Sequence, residues 1–316
     1  MINCDYKYTA VFSTIKDFIP ISGCTYFYSH STEERSFIVD SIIPLYQSHI
    51  TFVEIVSTAR DLILEKSSGE EFNLKSSSSM KALLGKYNSK TLYIDVTGIN
   101  NRIAASLLNN SMKLINDDKF ELDVRIIYAE PKKYKIKQFK TEGVYNDLSE
   151  KIEGIEPLPG FVNIIPDDVD MKFVALLGFE GGRFTHLIEN IQPPTDNIIP
   201  VIGVPGYRLE YPFVAFWGNR RPLKATESWT NIKYAAANSL VDVYLLLLKI
   251  LTDNPKSKIK LAPIGTKPHA IGAILFAIKY PKEVELVYDN PKRESVRTEG
   301  VGQIVECCVS NLLEEN

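Results

Sequence analysis

Hydrophobic positions along the chain fall into two alternating patterns. Short runs rich in β-branched and aromatic residues predict buried strands at Thr25–Tyr28, Ile50–Val56, Thr91–Val96, Val124–Tyr128, Phe173–Leu177, Ile198–Ile202, Lys260–Ile264 and Val284–Tyr288. Longer segments, with apolar residues three and four apart, predict helices at Glu33–Tyr46, Asn101–Ile115, Thr185–Ile191, Asn231–Thr252 and Pro268–Ile278. Strands that alternate with helices need crossover connections, which make mainly parallel sheets covered on both faces. The fold class expected is therefore α/β.

The segments that break this rhythm suggest the organisation. Lys66–Lys90, with Ser76–Ser79 inside it, has the composition of a flexible, solvated insertion. Five lysines within Lys132–Lys140 suggest an exposed strand or a sheet edge guarded against pairing. Gly154–Pro166, with Pro157, Pro159 and Pro166, is the best linker, and it places a boundary near residue 155. Two stretches also align without gaps: Tyr93–Leu108 on Leu261–Phe276, and Val124–Lys133 on Val284–Arg293. Seven of the 26 paired positions are identical, which suggests an internal duplication. The organisation expected is two Rossmann-like halves facing each other, 1–155 and 156–316, the second carrying most of the ligand turns.

At 316 residues the chain is long enough for one large domain or two medium ones without covalent staples. Hydrophobic residues at 45% and charged residues at 24% exclude a disordered or fibrous chain. A net charge of −3 argues against an extended nucleic-acid or membrane surface while leaving room for a local basic pocket. Cys4, Cys24, Cys307 and Cys308 lack metal-site spacing, so neither a zinc centre nor a disulfide framework is expected. The first residues lack a leader pattern, and Val241–Leu251 is broken by Asp242 and Lys249. These features suggest a cytoplasmic protein with no membrane partner.

Ligands of open parallel sheets sit beyond the carboxyl ends of the strands, so the residues that follow each strand are the candidates. In Gly178-Phe-Glu-Gly-Gly-Arg-Phe-Thr-His186, Gly181 and Gly182 allow close backbone approach. Arg183 suits a two-pronged phosphate contact, and Glu180 a ribose contact or a base. The alternative is a tight turn in which Arg183 and Glu180 pair with each other. Gly265, Thr266 and Lys267 open an apolar helix and make an anion clamp, with the dipole and the ammonium acting on one group. His269, in the first turn, is either a neutral hydrogen-bonding group or a structural one. Asp95, Thr97 and Gly98 form the corresponding turn in the first half. There Asp95 either binds a ribose or a metal, acts as a base, or caps the helix near Asn100. Arg208 and Asn219 are the ligand candidates in the aromatic tract 203–222, where Phe213 and Phe216 fit better as cover for the sheet edge. Hydrolase-elbow, zincin, kinase, Walker and dinucleotide fingerprints are all missing. Asp167, Asp168 and Asp170 precede a strand, on the wrong side of a sheet for a site, and no metal is expected.

Thr97-Gly98 and Thr266-Lys267, each after a buried strand, resemble the ligand-reading turns of CARF-like Rossmannoid domains, the nucleotide sensors of prokaryotic defence systems. The resemblance covers two strand–turn–helix units and implies a paired site that reads a nucleotide messenger. The fused halves, the GFEGGRF turn and the lack of an effector region depart from that pattern. The leading expectation is a nucleotide or other phosphate-bearing small molecule held between the halves. Arg183, Lys267 and Arg208 would neutralise phosphate, Gly181, Gly182 and Gly265 admit the backbone, and Thr97 and Thr266 donate hydroxyls. Its rivals are an enzyme on a nucleotide or sugar phosphate, with Glu180 or Asp95 as base and His269 or Lys267 as acid, and a scaffold for a protein partner or a homodimer. No cofactor is specified by the sequence.

Overall fold

The computed structural model describes residues 8–87, 89–117, 120–135, 149–152, 154–161, 169–293 and 297–315. The chain divides into two compact units, and it crosses between them at 135/136 and again at 294/295. The proline-rich stretch Gly154–Pro166 predicts a single crossing, near residue 155. The second crossing exists because the last strand and helix return to the first unit. Each unit is described by itself.

The first unit holds an eight-stranded sheet. Its strands are β1 (Thr9–Phe12), β2 (Thr25–Tyr28), β3 (Thr51–Ala59), β4 (Leu62–Glu65), β5 (Glu70–Asn73), β6 (Thr91–Asp95), β7 (Asp123–Tyr134) and a late strand at Thr298–Cys308. Four central strands run parallel in the order β3-β2-β6-β7. The late strand lies antiparallel to β7 and β1 on one side, and β3, β4 and β5 form an antiparallel meander on the other. Every residue of β2 and β6 is buried, as parallel strands covered on both faces require. The core gathers Phe18, Tyr26, Val39, Ile42, Tyr93, Ile127 and Ile304.

Two expectations change here. The predicted helix at Glu33–Tyr46 is a 3₁₀ segment, Glu34–Ser41, followed by a single α-helical turn, α1 (Ile43–Tyr46), with a proline in its first two positions. The supposed flexible insertion is ordered: β4 and β5 pair, and α2 (Ser77–Lys86) buries Met80, Leu83 and Leu84. Its serine run is a helix start, because the Ser76 side chain accepts from the Ser79 amide. As far as Tyr134 the lysine tract is the exposed strand expected: Lys132 and Lys133 are exposed, and this end of β7 pairs with the late strand, Lys133 opposite Glu299, but not with β6, whose pairing stops at Ile127. Residues 136–140, with Lys137 and Lys140, are outside the described residues, as are Cys4, 162–166 of the supposed linker, Asp167 and Asp168. After β6, Asn100 caps α3 (Asn101–Asn116), whose Ile103, Leu107, Leu108 and Met112 are buried.

The second unit contains a short antiparallel pair and a five-stranded parallel sheet. The pair joins β8 (Ser149–Ile152) to β14 (Pro291–Arg293). The sheet uses β9 (Met171–Leu176), β10 (Ile198–Gly203), β11 (Lys233–Ala235), β12 (Lys258–Pro263) and β13 (Val284–Leu286). Its order is β11-β10-β9-β12-β13, which in chain order is 3-2-1-4-5, the doubly wound arrangement. The late strand of the first unit is β15 (Thr298–Cys308), followed by α8 (Val309–Glu315).

Helices α4 (Gly181–Ile191) and α5 (Tyr211–Ala225) pack together, as do α6 (Leu240–Asp253) and α7 (Lys267–Lys279). Strand side chains alternate between faces. Phe173, Ala175 and Leu177 therefore join Phe184, Leu187, Ala215 and Leu223 in one core, and Val174 and Leu176 point to the other face. The segment predicted as one helix from Asn231 begins instead as β11, and α6 starts only after the Ser239 cap, which accepts from the Asp242 amide. The α/β class holds, with one mixed sheet and one wholly parallel sheet.

The aligned segments are alike in kind: β6-α3-β7 and β12-α7-β13 both join neighbouring parallel strands through a helix. The pairing is nonetheless shifted. The helix caps are Asn100 and Thr266, whereas the ungapped alignment sets Gly98 against Thr266. The loop after β6 is two residues longer.

Candidate functional site

The reversal of strand order in the five-stranded sheet falls between β9 and β12. Their carboxyl ends lead into Leu177-Gly178-Phe179-Glu180 and Ile264-Gly265-Thr266. At such a point the two connections leave in opposite directions and open a crevice. Here the floor of that crevice is backbone. A Cβ on Gly265 would lie 2.8 Å from the Leu177 carbonyl oxygen, so the two loops touch where only glycine fits.

Two of the charged residues predicted to face a ligand, Arg183 and Glu180, are buried. Arg183 is buried, and its fork grips Asp289 just beyond β13: Nε donates to Oδ2 at 2.6 Å and Nη2 to Oδ1 at 2.5 Å. Nη1 donates to the Ile264 carbonyl at 3.0 Å and approaches Glu180 at 3.5 Å. Burial disfavours the charged guanidinium, but Asp289 outweighs it and holds Arg183 protonated. The phosphate role drawn for Arg183 is thus corrected. Its donors tie α4, β12 and the end of β13 together. Glu180 is buried beside it, which also withdraws Glu180 as a solvent-facing base.

The α7 turn is knitted in the same way. The Thr266 hydroxyl donates to the Ala237 carbonyl at 2.7 Å and receives the His269 amide at 3.3 Å, so it is the helix cap. His269 is wholly buried, with Nε2 2.9 Å from the Ala236 carbonyl, and burial pushes its pKa below the ordinary value. It stays neutral and joins α7 to the β11 turn, so the acid role drawn for it is corrected too. Asn219 is buried on α5, donating to the Gly178 and Ala215 carbonyls at 2.8 and 2.7 Å. The bond to Gly178 holds the β9 turn in place, so the amide group is spent on the fold, while its Oδ1 is buried with no hydrogen-bond partner among the described residues.

What remains at the surface is narrower. α4 begins without a side-chain cap. Gly181 is jammed against α5, where an added Cβ would sit 2.1 Å from the Gly218 oxygen. Gly182, the next residue, is exposed with open space around it. Uncapped first-turn amides carry the positive end of the helix dipole. Lys267, the first residue of α7, is half-exposed beyond the neighbouring strand. Arg208 is exposed after β10 and pairs with Glu210 at 3.0 Å.

The first unit has its own reversal, between β2 and β6, and it too is closed. A Cβ on Gly98 would overlap the Ser29 carbonyl oxygen at 1.6 Å. Asp95 is buried, accepts the Tyr26 hydroxyl at 3.0 Å and the Thr97 amide at 2.9 Å, and burial raises its pKa. The Thr97 hydroxyl accepts the Ala129 amide at 2.9 Å. These residues build the turn; the helix cap is Asn100, not Asp95.

Two polar centres of this unit escaped the sequence reading. His30, two residues after β2, has its ring nitrogens 3.0 Å from Glu54 and 3.0 Å from Asp40 and stacks on Phe37. Glu33 is buried and accepts from Arg35, Arg297 and Thr298; burial opposes its charge, but the two guanidiniums outweigh this and set its pKa at about 2. The signal for His30 was its place after a buried run in a chain with only four histidines. Nothing local marks Glu33, because Arg297 lies far along the chain.

Among the described residues, no helix is long and apolar enough to cross a membrane. No protein-family model and no curated protein matches the chain. Among solved structures, a GDP-L-fucose synthetase from Naegleria fowleri bound to NADP is similar at 10% identity, with a TM-score of 0.24, over 99% of this chain and 91% of that one. That likeness is too slight to identify a shared family or to transfer a ligand.

Proposed function

We propose that the five-stranded unit binds a nucleotide or a related phosphate-bearing small molecule at the carboxyl edge of its sheet, across the β9/β12 reversal. A phosphate would sit against the first-turn amides of α4 at Gly182, with the Lys267 ammonium supplying charge and Arg208 a second cation after β10. The observation that carries this reading is the coincidence of an uncapped helix start, an open glycine and the point where the strand order reverses. The hydroxyls of Thr97 and Thr266 are engaged internally, so backbone amides, not hydroxyls, meet the ligand. The role of sensor in a prokaryotic defence-type system rests on the resemblance of those turns alone. Asp95, Glu180 and His269 are all buried. Retention without conversion is therefore the expected behaviour.

The test exploits the open space at Gly182. In Gly182→Asp a carboxylate would sit where the phosphate binds, yet an acid in the first turn favours the helix itself. Binding should fall more than about tenfold with thermal stability unchanged or raised. Lys267→Ala should cost about 1.5–3 kcal/mol of binding, the value of a charged hydrogen bond. Titration calorimetry with a retained nucleotide measures both; unchanged affinity in both variants removes the site.

A further inference from the structure

Among the described residues, seven of the fourteen large apolar side chains left exposed lie between Val204 and Tyr234, and three of them, Phe213, Phe216 and Trp217, stand together on the outer side of α5. The inner side is conventional: Tyr211, Ala215, Gly218, Asn219, Pro222 and Leu223 are buried. On the outer side, Phe213 (76% exposed) and Trp217 (46%) recur at helical spacing, flanked by Phe216 (44%), and Leu209 (91%) is exposed in the turn just before the helix. Arg220 and Lys224 continue the same stripe. The Arg220 guanidinium stacks 4.2 Å from the centre of the Trp217 ring, and its Nη1 donates to the Trp217 carbonyl at 3.0 Å, which fixes both side chains.

The charges along this face are ordered by sign. Glu210 stands at the amino end, Arg220, Arg221 and Lys224 at the carboxyl end, and the turns between them are apolar. Glu210 and Arg221 are eleven residues apart, about three turns, so they occupy one flank at opposite ends. An antiparallel copy of the helix would set each acid against the other copy's base.

We propose that this face is closed by a second copy of the chain, with α5 lying antiparallel on α5 about a two-fold axis near the middle of the helix. Phe213 of each copy meets Trp217 of the other, and Glu210 meets Arg221, each contact made twice, as an isologous interface requires. The Arg208–Glu210 pair at 3.0 Å is exposed and is readily exchanged for the intermolecular one. Trp and Arg at the centre are the side chains that anchor such interfaces. An anionic bilayer would use the three cations and the aromatic rings but would be repelled by Glu210.

Sedimentation velocity of the full chain across a wide concentration range tests this. The native chain should dimerise. Phe213→Ser with Trp217→Ser should give a monomer of unchanged thermal stability, since both side chains are exposed. Glu210→Lys and Arg221→Glu should each weaken the dimer about tenfold, and the two together should restore it. A native chain that stays monomeric throughout overturns the proposal, as does a dimer that survives both serines. A monomer that sediments with phosphatidylserine vesicles, and not with phosphatidylcholine vesicles, also overturns it and makes the face a lipid surface.

Discussion

Arg183 shows why residue type and position do not by themselves settle a role. An arginine two residues into a helix after a glycine turn is where a phosphate ligand would be expected. Its acid, Asp289, lies 106 positions later and reaches it only through the fold. Removing either partner leaves an unpaired charge in the interior, a loss of about 3–5 kcal/mol. Arg183→Ala and Asp289→Ala should each show this in urea unfolding, and the double variant should lose much less than their sum.

His269 makes a second residue-scale prediction. The folded ring resists a proton that the unfolded ring accepts near its ordinary value of 6.5. The unfolded state therefore binds more protons below that pH. The stability tied to the neutral ring is intact above 6.5 and lost as the pH falls below it. The urea midpoint should drop between pH 7.5 and pH 5, and His269→Leu should flatten this part of the profile. An identical slope in the variant would show that other groups set the acid limit.

Among the elements, buried parallel strands were the most legible. All eight predicted runs are strands, because continuous β-branched and aromatic residues suit positions covered on both faces. The helices were less so. Ser76–Ser79 looks like a solvated loop by composition, yet serine is also a good helix cap, and only the burial of Met80, Leu83 and Leu84 decides between them. Ser76→Ala should destabilise the first unit by about 1 kcal/mol in denaturant unfolding. No change would mean that packing alone holds α2. The aromatic tract from Tyr211 hid α5, whose exposed Phe213 and Phe216 blur the usual apolar stripe.

At the scale of the whole molecule, the sequence suggests two α/β bodies but not how the chain visits them. β15 belongs beside β7, and no local pattern reveals a strand that returns across 163 intervening positions. Of the candidate site, the strand-end turns were legible and the placement of their side chains largely was not. Polar turns after parallel strands mark the carboxyl edge, but whether a side chain points up to a ligand or down into the floor depends on neighbours distant in sequence. Arg183, Thr266, His269 and Asn219 point inward; Gly182, Lys267 and Arg208 remain.

The central claim is that the open start of α4 receives a phosphate. Native mass spectrometry of the full chain against mono-, di-, cyclic and dinucleotides, with and without Mg²⁺, tests it most directly when native protein and Gly182→Asp are run side by side. The native chain should retain a phosphate-bearing species unconverted, and the variant should release it while remaining folded. Equal retention by both would place the ligand elsewhere, and no retained nucleotide would contradict the nucleotide reading itself.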